Sequence, residues 1–219
     1  MTFKAPDSLC EQIAQHLAER IIRGELKPGE RIQEQKVTQA LNVSRGSVRE
    51  ALLILERRHL VAILPRRGAH VTELNEHNVR TLCALMSEMY ILLGNAVAER
   101  WQTQADLAPF LAIQQRLQAS YQRKDINTFV DDSFAVMRAA YPFADNPYLQ
   151  ETIENLQPAM NRNYYLALEL RKASMSEYQV LFAQLLEAVV ARDQVRIRQV
   201  LTDYGQRSCE LVLSALAAA

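Results

Sequence analysis

The chain has 219 residues, 49% of them apolar and 23% charged, a balance that excludes a disordered polar chain and leaves room for two cores at roughly 100 to 150 residues per domain. Its formal net charge of zero disfavours a uniformly phosphate-binding surface, but residues 1–75 carry 12 Lys and Arg against 9 Asp and Glu, while residues 76–219 carry 13 against 16. No apolar run reaches the roughly 18 residues of a membrane span, the opening MTFKAPDSL lacks the apolar core of a leader, and Cys10, Cys83 and Cys209 form no CxxC pair, so a soluble, cytoplasmic chain with reduced thiols is expected.

From Ser8, a suitable N-cap, Leu9, Ile13, Leu17, Ile21 and Ile22 recur at helical spacing until Gly24 ends a first helix. Leu26-Lys27-Pro28-Gly29 makes a turn, and Val37, Ala40 and Leu41 mark a short second helix. Ser44 can cap a third, which turns Val48, Ala51, Leu52 and Leu55 inward and leaves Arg45, Gly46, Ser47 and Arg49 on its exposed first turns. The stretches 61–64 and 70–72 read as two strands flanking Pro65-Arg66-Arg67-Gly68-Ala69. Three helices followed by a β-hairpin is the layout of a winged helix-turn-helix, whose third helix enters the major groove while the wing lies on the backbone or in the minor groove. Across residues 44–70 six arginines face only Glu50 and Glu56, so an anion is expected there.

Beyond Asn75 the pattern becomes three-and-four apolar spacing throughout, which predicts helices near 76–101, 104–122, 125–141, 146–171, 174–192 and 194–216. Asn75, Asp125, Asn146, Ser174 and Asp193 are placed as caps or turn residues between them. The expected fold is therefore mostly α, with a winged helix-turn-helix over 1–74 and an all-α helical bundle over 75–219.

The motifs LKPGERI at 26–32, VSRGSVREAL at 43–52 and PRRGAHV at 65–71, with Leu60-Val61 between them, together resemble the GntR family of regulators. The helical remainder, including FVDDSF at 129–134 and Ala191-Arg192-Asp193, is similar to the ligand-sensing FCD domain of its FadR-type branch. The resemblance implies a DNA-binding transcription regulator that works as a homodimer on a palindromic operator, with DNA contacts at Ser44, Arg45, Ser47, Arg49, Arg66, Arg67 and Gly68. Chemistry agrees, because a guanidinium fork can grip guanine O6 and N7 together. Arg57 and Arg58, at the far end of the third helix, are as well suited to its dipole as to phosphate, and Glu50 is read as structural.

Members of this branch commonly hold a metal through an Asp, a His four residues later and two further histidines. Here Asp131 is matched, but the other positions are Ala135, Phe182 and Tyr204, and an Arg and a Glu frequent on the domain's first helix become Met86 and Tyr90. One carboxylate is too small a donor set for a tightly held transition metal, and His16, His59, His70 and His77 all lie at or before the start of the helical half. No metal or other cofactor is therefore expected. If the cavity persists, its lining is expected to be Met86, Tyr90, Asp131, Ala135, Phe182 and Tyr204, joined by Asn161, Tyr164 and Tyr165, a site for an apolar or aromatic small-molecule effector. The alternative is that these aromatics are ordinary core and that the helical half only dimerises. An enzyme is disfavoured: there is no HExxH, GxSxG, Walker loop or GxGxxG, and adjacent Asp131 and Asp132 point about 100° apart on a helix.

Overall fold

A computed structural model describes residues 8–170 and 174–218. Helix α1 (Leu9–Ile22) begins at Ser8, whose hydroxyl accepts the Glu11 N–H, and α2 (Glu34–Leu41) ends at Asn42, which takes the left-handed conformation that Asn tolerates. Helix α3 (Arg45–Arg57) follows α2 after three residues and runs into β1 (Val61–Leu64) and β2 (Gly68–Val71), paired antiparallel from Val61↔Val71 to Leu64↔Gly68. A core of Leu17 and Ile21 from α1, Leu52 and Leu55 from α3, and Val61 and Val71 from the hairpin holds these elements together.

The hairpin differs from the sequence expectation at its tip. Its turn is only Pro65-Arg66-Arg67, and β2 starts at Gly68 rather than His70. Arg66 and Gly68 both have positive φ, 62° and 82°, which lets the chain reverse in three residues and makes Gly68 the first paired residue of the returning strand. An isolated bridge between Arg31 and His70 adds a strand-like edge beside β2.

Among the described residues six helices follow: α4 (Glu76–Arg100), α5 (Gln104–Arg123), α6 (Ile126–Ala144), α7 (Pro147–Leu170), α8 (Ser174–Val190) and α9 (Gln194–Ala218). Asn75, Asp125, Asn146 and Asp193 each accept a backbone N–H from the first turn that follows. Ser174 starts α8 itself, and residue 171, expected to end the preceding helix, lies outside the described residues. By contact the chain divides into two units, one running to Leu74 and including Glu154–Arg162, the other formed by Asn75–Ile153 and Asn163–Ala219. The α7 segment in the first unit carries Arg162, a buried guanidinium that donates to the Thr72 carbonyl at 2.8 Å.

Within the second unit α4 packs on α9, α6 and α8. The sequence expectation of no membrane-length apolar run needs correcting here, since α4 contains an 18-residue window of mean hydropathy 1.4, long and apolar enough to cross a membrane. Its apolar face, including Val79, Met86, Ile91 and Val97, is buried in the bundle instead.

Candidate nucleic-acid interface and ligand cavity

The start of α3 is set by Ser44, whose Oγ accepts the Ser47 N–H at 3.0 Å and lies 2.9 Å from the Ser47 hydroxyl. With Val48, Ala51, Leu52 and Leu55 buried, the outer side of the first turns must carry Arg45 and Arg49, both exposed. No acidic residue occupies the first turn, so the positive end of the helix dipole is left to an external anion. Arg49 donates to Glu34 at 2.9 Å with 69% of its side chain in water; an ion pair so exposed is weak and gives way readily to another anion. Arg58 is different: it is half-buried and paired with Glu11 of α1, which makes it a structural clamp. Arg57 stays exposed, and Glu50 accepts from the Cys10 thiol at 3.0 Å, in keeping with a structural role.

On the wing, Arg66 and Arg67 are exposed at the turn, closed by the Arg67 N–H donating to the Leu64 carbonyl at 3.1 Å. A third guanidinium joins them. A Cβ built on Gly68 would lie 3.6 Å from Arg31 Nε, so Arg31 rests against the bare wing backbone. Sequence reasoning missed it because the Arg31–His70 bridge joins residues almost forty positions apart, with no local pattern to announce it.

In the helical unit two chambers share the walls Ser133, Phe134, Tyr164, Tyr178, Leu181 and Tyr204: an inner one of about 90 Å³ and an outer one of about 270 Å³. Of the residues expected to line the cavity, Tyr90, Phe182, Tyr204 and Tyr164 do. Met86 is buried in the core but belongs to neither wall, as do Ala135, Asn161 and Tyr165, which are half-buried. Asp131 is a further correction, since it is exposed to solvent. The reason is the rotation of α6: it turns Ser133, Phe134, Met137 and Ala140 inward, and a carboxylate stays in water because burying it is costly. Its neighbour Asp132 is the buried acid, held by Arg116 at 2.7 Å.

These residues do not fit a metal. Ala135 and Phe182 offer no donor, Asp131 faces away, and the Tyr204 hydroxyl donates to that of Tyr164; among the described residues no three His, Cys, Asp or Glu side chains converge. Burial pushes the Tyr90, Tyr164, Tyr178 and Tyr204 hydroxyls well above their ordinary range, so these four walls of the inner chamber are uncharged at neutral pH.

A winged helix-turn-helix followed by a helical, cavity-bearing unit defines a class, and the family comparisons agree with it. The model for bacterial regulatory proteins of the gntR family matches residues 9–71, and the FCD domain model matches residues 70–207. The chain belongs to the GntR family, in its FCD branch, and is a DNA-binding transcription regulator with an effector-binding domain, not an enzyme. It is 26% identical to the HTH-type transcriptional regulator McbR of Escherichia coli strain K12 over 206 residues, 94% of this chain and 93% of that one. It is 27% identical to the HTH-type transcriptional repressor RspR of the same strain over 210 residues, 92% and 88% of the two chains. Among solved structures, E. coli McbR/YncC superposes with a TM-score of 0.79 at 24% identity, covering 95% of this chain and 99% of that one. A putative GntR regulator from Rhodococcus sp. RHA1 gives 0.74 at 20% identity over the same shares, and both likenesses concern the fold.

Proposed function

We propose that the regulator acts in the cytoplasm as a homodimer on a palindromic operator, contacting DNA through Ser44, Arg45, Ser47 and Arg49 of α3 and through Arg66, Arg67 and Gly68 of the wing. The observation that carries this reading is the exposure of Arg45 and Arg49 on the first two turns of α3, whose first turn is capped by Ser44 and free of acids. One recognition helix reads few bases, so two related by a dyad read half-sites about one helical turn apart. The repressor name borne by RspR supports repression as the sign of control. The effector is an apolar or aromatic molecule held between Tyr90, Phe182 and Tyr204 without a metal, and it acts by preferring one of two arrangements of the dimer.

Footprinting over the DNA upstream of its own gene tests the operator claim. Two protected half-sites about one turn apart are expected, together with a dimer in sedimentation equilibrium; a single protected patch bound by monomer contradicts it. A thermal shift with Zn²⁺ or Ni²⁺ that Asp131→Ala abolishes would overturn the metal-free reading.

A further inference from the structure

Four tyrosines wall the inner chamber, and the fate of their hydroxyls separates one from the rest. Tyr204 donates to Tyr164, Tyr164 also bonds to the Ser208 hydroxyl, and Tyr178 donates to the Ser133 carbonyl at 3.3 Å. Tyr90, only 8% exposed, lines the same chamber and has a hydroxyl with no hydrogen-bond partner. Tyr178 and Tyr204, whose rings meet edge to face at 5.4 Å, line the same chamber. A buried hydroxyl left unbonded is costly, and native proteins seldom keep one without a reason. The remaining inner walls are apolar, among them Leu93, Val97, Phe182 and Leu185; the charged groups Arg207, Glu177 and Glu210 line only the outer chamber.

We infer that the inner chamber takes an uncharged, largely apolar molecule of about one ring that carries a single hydrogen-bond acceptor, and that the Tyr90 hydroxyl donates to that acceptor. This rests on the effector reading above and names the ligand's chemistry. Size follows from the volume: about 90 Å³ is of the order of an engineered apolar cavity of about 150 Å³ that holds benzene. Charge is excluded because no cationic side chain reaches the inner walls, and a carboxylate stripped of water there has nothing to compensate it. An acceptor is required because only it turns the Tyr90 hydroxyl from an uncompensated group into a bonded one.

Three probes of nearly one shape test this on the full chain by calorimetry: acetophenone, with a carbonyl; α-methylstyrene, with a methylene in its place; and benzoate, with a charge. Acetophenone is expected to bind about threefold to tenfold more tightly than α-methylstyrene, with benzoate weakest, and Tyr90→Phe is expected to erase the preference for the carbonyl. Because that variant removes only a hydroxyl without a partner, its melting temperature should equal or exceed that of the parent protein. Nuclear Overhauser contacts from the acetophenone methyl to the Phe182 ring are the second readout. Equal binding of acetophenone and α-methylstyrene, or tightest binding of benzoate, overturns the ligand class while leaving an effector site standing. Binding without contacts to Phe182, or no binding by any probe, overturns the inference and the effector reading together.

Discussion

At Ser44 a single hydroxyl fixes where α3 begins: it takes the Ser47 N–H, and Arg45 and Arg49 are thereby presented on consecutive exposed turns. Replacing Ser44 with Ala should lower stability by about 1 kcal/mol, the usual worth of such a cap, measurable as an earlier urea midpoint with an unchanged slope. These residues were legible in the sequence because their information is local, a capping serine followed by apolar positions at helical spacing. Asp131 was not. The family resemblance groups it with Ala135 and Phe182, but which face of α6 turns inward is decided by packing, and Phe134 and Met137 outcompete a carboxylate for the interior. Arg31 escaped for the complementary reason, since its place at the wing depends on a bridge to a distant residue.

Helices α4 and α9 show how element packing is written in small residues. A Cβ on Gly205 would collide with Ser87 Oγ, and one on Gly94 would fall 2.9 Å from Ile197 Cγ2, so two glycines on opposite helices let the backbones approach. Gly205→Ala should destabilise the helical unit by about 1 to 3 kcal/mol through overpacking, and adding Ser87→Gly should restore most of the loss in thermal melts. The same antiparallel register brings Cys83 into contact with Cys209, and burial first, then that neighbour, raises the Cys83 thiol to about 12. Helix starts make a separate, pH-dependent contribution. Backbone N–H groups of Gln102 and Thr103 hold the Asp106 carboxyl below its ordinary range, and Thr128 does the same for Asp125. A carboxyl lowered on folding binds its proton more readily in the unfolded chain, so its stabilisation is present above about pH 4 and is lost as pH falls through the folded value. Melting temperatures followed from pH 5 to pH 3 should therefore drop less steeply in Asp106→Asn and Asp125→Asn than in the parent. Helix starts were readable for the same reason that these acids are, because Asn, Asp and Ser announce caps. The hairpin tip was not, since Gly68 reads as a turn residue until its pairing with Leu64 is known.

On the scale of the whole chain, a net charge of zero conceals a functional partition, with six arginines between residues 44 and 70 against two acids. The structure sorts those six: Arg45, Arg49, Arg66 and Arg67 stand exposed on α3 and the wing, Arg57 is exposed at the end of α3, and Arg58 is committed to Glu11. The cavity was legible only in part, through Tyr90, Tyr164, Phe182 and Tyr204, because its other walls, such as Leu93 of α4 and Leu185 of α8, are apolar residues that in sequence look like any core. In the proposed reading the exposed guanidinium groups of α3 and the wing read and grip a DNA duplex; the decisive measurement is fluorescence anisotropy of the protein on its own upstream duplex between roughly 50 and 200 mM salt, the range where counterion release dominates. For the parent protein log K should fall linearly with log salt, Arg45→Ala and Arg49→Ala should each lower affinity by about tenfold to a hundredfold, and Arg67→Ala should reduce the salt slope by about one. Affinity and slope unchanged in all three variants would contradict it.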